Sequence, residues 1–132
     1  VTEVEPTGES VPTGDGLVAL SRQHQLLALP MFVLTSVPTD AGIAAVMEAI
    51  PAHGDYWAKL EEEGVLFAGG PVLSGHGSDP WSGRAMFIFQ AQSLDAARAV
   101  AEADPMHTGG ARQYELRPWL LNHLVVPDGV KP

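Results

Sequence analysis

The strongest constraint on this chain is the order in which its apolar residues change period between Pro30 and Trp119. Met31–Val37 (MFVLTSV) is β-branched and apolar and is stopped by Pro38, the pattern of a buried strand. Ile43, Val46, Met47 and Ile50 then follow the i, i+3, i+4, i+7 spacing of one helix face, with Thr39 or Asp40 as its cap. Pro51 is expected to break or restart that helix, and a second helical stretch, Ala52–Glu63, stops at Gly64. Val65–Leu73 (VLFAGGPVL) reads as a strand with a glycine kink, and Ser74–Gly83 (SGHGSDPWSG) as a loop. Arg84–Ala91 (RAMFIFQA) reads as a strand buried on both faces. Ser93 caps a helix over Leu94–Ala103, with Asp95 in its first turn. Arg112–Trp119 (RQYELRPW) alternates polar and apolar residues, as a strand with one wet face does.

That order is β-α-β-β-α-β. The expected fold class is therefore α+β and ferredoxin-like, a four-stranded antiparallel sheet with two helices on one face. The other face needs a cover, and apolar residues on both sides of Met86–Phe89 point to a partner sheet. The expected assembly is a homodimer or a higher even-numbered homo-oligomer. Residues 30–120 form the expected domain, preceded by an N-terminal arm over 1–29 and followed by a tail over 121–132. Residues 1–16 are rich in Pro, Gly, Thr and acids and show no periodicity, so they need a surface to lie on, in their own domain or a neighbouring subunit. Leu17–Leu29 reads as a short helix or an extended arm.

Composition narrows the function classes. The 132 residues suffice for one domain with a real core, without metal or disulfide staples. There is no cysteine, which removes disulfides, thiolate nucleophiles and cysteine-ligated metal. Five histidines show neither HExxH nor HxH spacing, so no metal is expected; no cofactor is expected either, since proton transfer needs only side chains. Seven Lys and Arg against sixteen Asp and Glu give a net charge of −9, which repels phosphate backbones and anionic lipid. Nucleic acid and membrane are thus not expected partners, whereas a small-molecule ligand is. The start, VTEVEPTGES, lacks a basic, apolar signal segment, and a cytoplasmic location is the expectation.

Three segments carry a family resemblance: HGDYWAKLEEEGVLFAGGPVLSG, RAMFIFQAQSLDAARAVAEADP and RQYELRPW. Together, over roughly 30–120, they resemble the YCII-like family of small dimeric α+β-barrel proteins. The elements that carry it are His53 early in a helix, Gly64 after it, Gly70-Pro71 in a strand, Asp104-Pro105 after an Ala- and acid-rich helix, and Pro118-Trp119. The resemblance implies a dimeric α+β barrel and an active-site pair made of His53 and Asp104. The family's better-understood members include a dehydrochlorinase for a chlorinated hydroxyhydroquinone, so lyase or isomerase chemistry is implied. The long N-terminal extension and the tail after Trp119 depart from the family pattern.

The residues themselves bear on the same chemistry. His53, about three residues into the expected second helix, shares a stripe with Trp57 and Leu60 that faces the sheet. A neutral imidazole there is what a general base near pH 7 requires. Pro105 pushes Asp104 out of the α region, so Asp104 ends one helix and caps the turn Pro105–Thr108. One carboxylate oxygen can cap while the other orients a histidine. His107, three residues on, is the rival partner for Asp104, or else a surface histidine on a short turn. Gly69-Gly70-Pro71 marks a kink or a close approach to ligand, and the 74–83 loop offers His76, Asp79 and Trp81 as lid contacts. The expected substrate-binding set is Gly70, Pro71, His76, Trp57 and His107. Arg84 or Arg117 could hold an anionic group. A cofactor-free acid–base enzyme, whether lyase, isomerase or hydrolase, stands against a non-catalytic small-molecule-binding or assembly module, and against an interaction protein that docks through its acidic arm.

Overall fold

The computed structural model describes residues 11–130, so the part of the expected arm over 1–10 lies outside the described residues. The elements run α1 (Gly14–Gln23), β1 (Leu29–Pro38), α2 (Gly42–Glu62), β2 (Leu66–Pro71), β3 (Ala85–Phe89), α3 (Leu94–Ala103), α4 (Pro105–Thr108) and β4 (Arg112–Leu121). The four strands form one antiparallel sheet in the order β2-β3-β1-β4, the ferredoxin-like arrangement. Inserting β3 between β1 and β2 is what a split β-α-β unit does.

Register decides which side chains meet the helices. Phe32, Leu34 and Ser36 of β1 stand opposite Phe89, Phe87 and Ala85 of β3, and all six are buried. Trp57 and Leu60 of α2 and Ala97 and Ala101 of α3 close over them. Phe32 and Phe89 stack at 6.1 Å between ring centroids. Each such fully buried large side chain contributes about 1.5–3 kcal/mol. Ala97 and Ala101, four apart on α3, have no exposed surface, and their small size lets that helix sit close on the sheet.

Several expectations shift. Pro51 does not break α2, which is one helix of 21 residues. Proline removes the hydrogen bond to the Met47 carbonyl, but Pro51 and Met47 are both exposed, so water can satisfy that carbonyl. His53 is consequently central in α2 rather than near an N-terminus. The α2 cap is Ala41, without a side-chain bond. Thr39 instead donates its hydroxyl to the Gly110 carbonyl at 2.6 Å and pins the turn before the helix. Gly64 follows the helix with φ +76°, a conformation that glycine adopts without strain.

Expectation and structure agree on α3: Ser93 Oγ accepts from the Ala96 N–H at 3.0 Å, and the helix ends at Ala103. β4 continues to Leu121, two residues past the expected end. β3 is buried on one face only. Met86, pointing the other way, is 41% exposed. It joins Val33, Thr35, Ile88, Glu115, Arg117, Pro118 and Trp119 around a shallow depression of about 560 Å³.

The chain divides into two compact units, one of them Met31–Trp119. The other combines the described residues before Met31 with those after Trp119. In it α1 covers part of the ambiguous Leu17–Leu29 stretch and begins at Gly14, with Thr13 Oγ1 accepting from the Gly16 N–H at 3.0 Å. Asn122 ties this unit together. Its side-chain oxygen accepts from Ala28 N–H at 3.2 Å, its side-chain nitrogen donates to Ser21 Oγ at 3.1 Å, and its carbonyl accepts from Leu27 N–H at 3.2 Å. Asn122 thus bonds the described end of the arm to the start of the tail.

Candidate active site

The site is built where α3 ends. Pro105 forces Asp104 to an extended ψ of 127°, which turns its side chain from the α3 axis toward α2. The carboxylate is fully buried and collects three kinds of donor. Met106 N–H donates to Oδ1 at 2.9 Å, which is the cap of α4. Trp57 Nε1–H donates to Oδ2 at 2.8 Å. His53 Nδ1 lies 2.9 Å from both oxygens. Asp104 is therefore cap and histidine partner at once.

Electrostatics follow from this cage. Burial by itself raises the Asp104 pKa, but the hydrogen bonds from His53, Trp57 and Met106 outweigh it and hold the group below the usual carboxylate range. An ionised carboxylate only accepts, so His53 carries its proton on Nδ1. The neutral ring then presents Nε2 as a lone-pair nitrogen, and no hydrogen bond among the described residues engages it. His53 and Trp57 are four apart on α2 and present the same face. Phe87 of β3 backs both: its ring stacks on Trp57 at 4.2 Å and meets the His53 ring edge-on at 5.4 Å.

A cavity of about 640 Å³ opens beside the pair, with His53, Gly54 and Trp57 on one wall and Gly69, Gly70, Pro71 and Phe87 on another. Its size suits a small organic ligand. Gly69 is required by packing, since a Cβ there would stand 2.2 Å from Phe87 Cδ1. Gly70, by contrast, has open space where a side chain would begin.

The other expected residues are distributed unevenly. Trp57, Gly70 and Pro71 line the cavity with His53. His76 does not; it is exposed on its loop, its backbone N–H bonded to Asp79 Oδ2 at 3.0 Å. Trp81 is the loop residue that reaches the cavity wall. His107 is neither on the surface nor bonded to the Asp104 carboxylate. Its Nδ1–H donates to the Ala101 carbonyl at 2.6 Å, and its Nε2 meets the buried Ser36 hydroxyl at 2.7 Å. Burial pushes the His107 pKa down, against the opposing pull of the Ala101 carbonyl and the Asp104 charge. His107 thus locks α4 to α3 and β1. Arg84 and Arg117 are both exposed and absent from this wall, and Arg117 pairs with Glu115.

The cation at the wall is Arg112, which no motif in the sequence marks as a site residue. A signal was present. In RQYELRPW, Arg112 holds the same phase as Tyr114 and Leu116, the inward side of β4. Among the described residues no three His, Asp or Glu side chains gather as a metal site, and no helix is long and apolar enough to cross a membrane.

Residues 31–120 match the family model described as YCII-related domain. Among solved structures, the chain is similar to the 5-chloro-2-hydroxyhydroquinone dehydrochlorinase TftG of Burkholderia phenoliruptrix, in complex with 2,5-dihydroxybenzoquinone. The TM-score is 0.53 at 22% identity, over 67% of this chain and 92% of the other. No curated protein matches.

Proposed function

The chain belongs to the YCII-related domain family, and from that premise we propose that it is a cofactor-free acid–base enzyme for a small organic molecule, working as a homodimer. The observation that carries this reading is the buried Asp104 carboxylate holding His53 at the wall of the 640 Å³ cavity with Nε2 uncommitted. In the proposed reaction, Nε2 takes a proton from a substrate O–H, or from a C–H beside a carbonyl. Asp104 fixes the tautomer beforehand and balances the imidazolium that forms. On a chlorinated hydroxylated ring, of the kind the TftG dehydrochlorinase is named for, one O–H proton is first moved to the chlorine-bearing carbon, giving the keto tautomer. Loss of a second, enolic O–H proton then leaves its bonding pair to form C=O, the ring double bond shifts onto the chlorine-bearing carbon and chloride leaves with its bonding pair. The net loss is HCl. On a carbonyl compound without a leaving group, return of the proton to another carbon is an isomerisation.

The tautomer is the point of test. Nitrogen NMR of the neutral His53 ring is expected to show the Nδ1–H form. In Asp104→Asn the carboxamide can turn its NH2 toward Nδ1, and the ring is expected to change largely to the Nε2–H form, which offers no base to the cavity. An unchanged tautomer would reduce Asp104 to a cap and favour the non-catalytic binding module.

The dimer is proposed on the sheet face that carries Met86, where a second copy would cover apolar and exposed strand residues. Met86→Glu is expected to yield monomers in sedimentation at concentrations where the wild type is dimeric. A monomeric wild type would remove this part of the proposal.

A further inference from the structure

Arg112 is an incomplete ion pair. Its residue surface is only 3% exposed, and its Nε–H donates to the Gly83 carbonyl at 2.9 Å. The guanidinium carbon lies 5.6 Å from the centroid of the Trp81 ring, a cation–π contact that fixes its plane. Nη1 is buried and has no hydrogen-bond partner. Among the described residues, no carboxylate lies within ion-pair distance of it. A guanidinium cannot shed its proton to escape burial, and an orphaned charged donor is among the least favourable groups a fold can carry. Such groups persist where a ligand completes them.

The cavity supplies the place. Arg112 and His53 both contribute to its wall, together with Trp81 and Trp57. Glu61 is the other charged wall residue and sits on the exposed side of α2. The wall therefore carries one buried cation and one exposed carboxylate. In a chain of net charge −9, with only seven Lys and Arg, a general anion trap does not explain a buried arginine. A specific anionic oxygen does.

We propose that Arg112 binds an anionic oxygen of the substrate, a carboxylate or a ring oxide, and so presents the reacting proton to His53. The inference rests on the reading of this cavity as the substrate site and adds the substrate's charge and its orientation. Arg112 is a binding and positioning residue. Its two functions are to neutralise the anion that enters and to hold it against the Arg112 side of the wall. For a hydroxylated ring, the same contact would favour the ionised form of one ring oxygen.

The test uses the full chain and three small aromatic probes, followed by the indole N–H signals of Trp57 and Trp81. The probes are benzoate, 2,4-dinitrophenolate, which is ionised at neutral pH, and uncharged benzyl alcohol. The wild type is expected to bind one of the anions about tenfold or more tightly than benzyl alcohol, the scale of one charge-assisted hydrogen bond. Selection of benzoate identifies a carboxylate, and selection of dinitrophenolate a ring oxide. In Arg112→Gln the preference for the anion over benzyl alcohol is expected to vanish. Arg112→Lys, which keeps the charge, should retain part of the preference. Equal binding of anions and benzyl alcohol by the wild type overturns the assignment of Arg112 and leaves the cavity as the ligand site. Absence of any indole response to all three probes overturns both. The wild-type comparison decides the matter even if neither variant folds.

Discussion

Asp104→Ala is expected to destabilise the protein by about 3–5 kcal/mol, the cost of removing one member of a buried, hydrogen-bonded pair. The loss has separable parts. The α4 cap contributes about 0.5–2 kcal/mol through Met106 N–H. Trp57 Nε1–H and His53 Nδ1–H would be left as unsatisfied donors, each costing about 1–3 kcal/mol where water cannot reach. These costs overlap, so the total falls below their sum. Denaturant unfolding of the wild type and of Asp104→Ala measures it. Asp104→Asn should lose less, since one amide oxygen still accepts.

The same carboxylate sets a pH limit. Its folded-state pKa lies below the ordinary value of 3.8, so its contribution is fully present above that value. Acidification from about pH 4 downward removes it, as the folded state must take up a proton that the unfolded state already holds. The wild type should lose stability steeply there, while Asp104→Asn should be flatter over the same range. A parallel acid limb in the two proteins would mean that other carboxylates dominate. If the proposed chemistry operates, loss of Asp104 should also lower turnover by about 10²–10⁴-fold, the usual scale for a positioned acid–base pair.

Much of this architecture was legible because strong local signals and tertiary packing agree. Ser93 and the Asp104-Pro105 pair set both ends of α3, since one supplies a side-chain acceptor and the other forbids a further helical turn. Pro51 misled because a proline in sequence does not say which side of a helix it will occupy. On the exposed side its missing hydrogen bond goes to water, and the inward stripe of Val46, Trp57 and Leu60 continues past it. Phe87 and Phe89 with Met86 and Ile88 read as a strand buried twice over, because an apolar run cannot tell a helix-covered face from one left for another partner. His107 is near Asp104 in sequence, yet its backbone N–H bonds the Asp104 carbonyl while its ring turns to Ala101 and Ser36. Arg112 is not singled out by composition or motif, because its role depends on strand phase rather than on charge. A basic residue on the inward phase of a strand is the one to examine.

Trp57 joins the core to the site, and two substitutions there separate those roles. Trp57→Ala is expected to cost about 3–5 kcal/mol, because the indole is almost wholly buried and fills the space beneath Phe87 and Phe89. Trp57→Phe keeps an aromatic ring for the Phe87 stack and removes the donor to Asp104 Oδ2. It should cost about 1–3 kcal/mol, the price of one hydrogen bond to a buried charge, with some loss of packing volume. With one donor gone, the Asp104 carboxylate should be held less far below its ordinary range, so the acid loss of stability in Trp57→Phe should start from the same pH but be smaller, and be complete at a higher pH, than in the wild type. Leu60→Ala is the control. It makes a hole in the same core without touching the carboxylate, and it should lower stability at every pH with no displacement of the acid limb. If Trp57→Phe and Leu60→Ala behaved alike in this comparison, the indole would be core packing alone. A shallower acid limb, complete at a higher pH, in the first and not the second would make Trp57 part of the device that keeps Asp104 charged and His53 in its working tautomer.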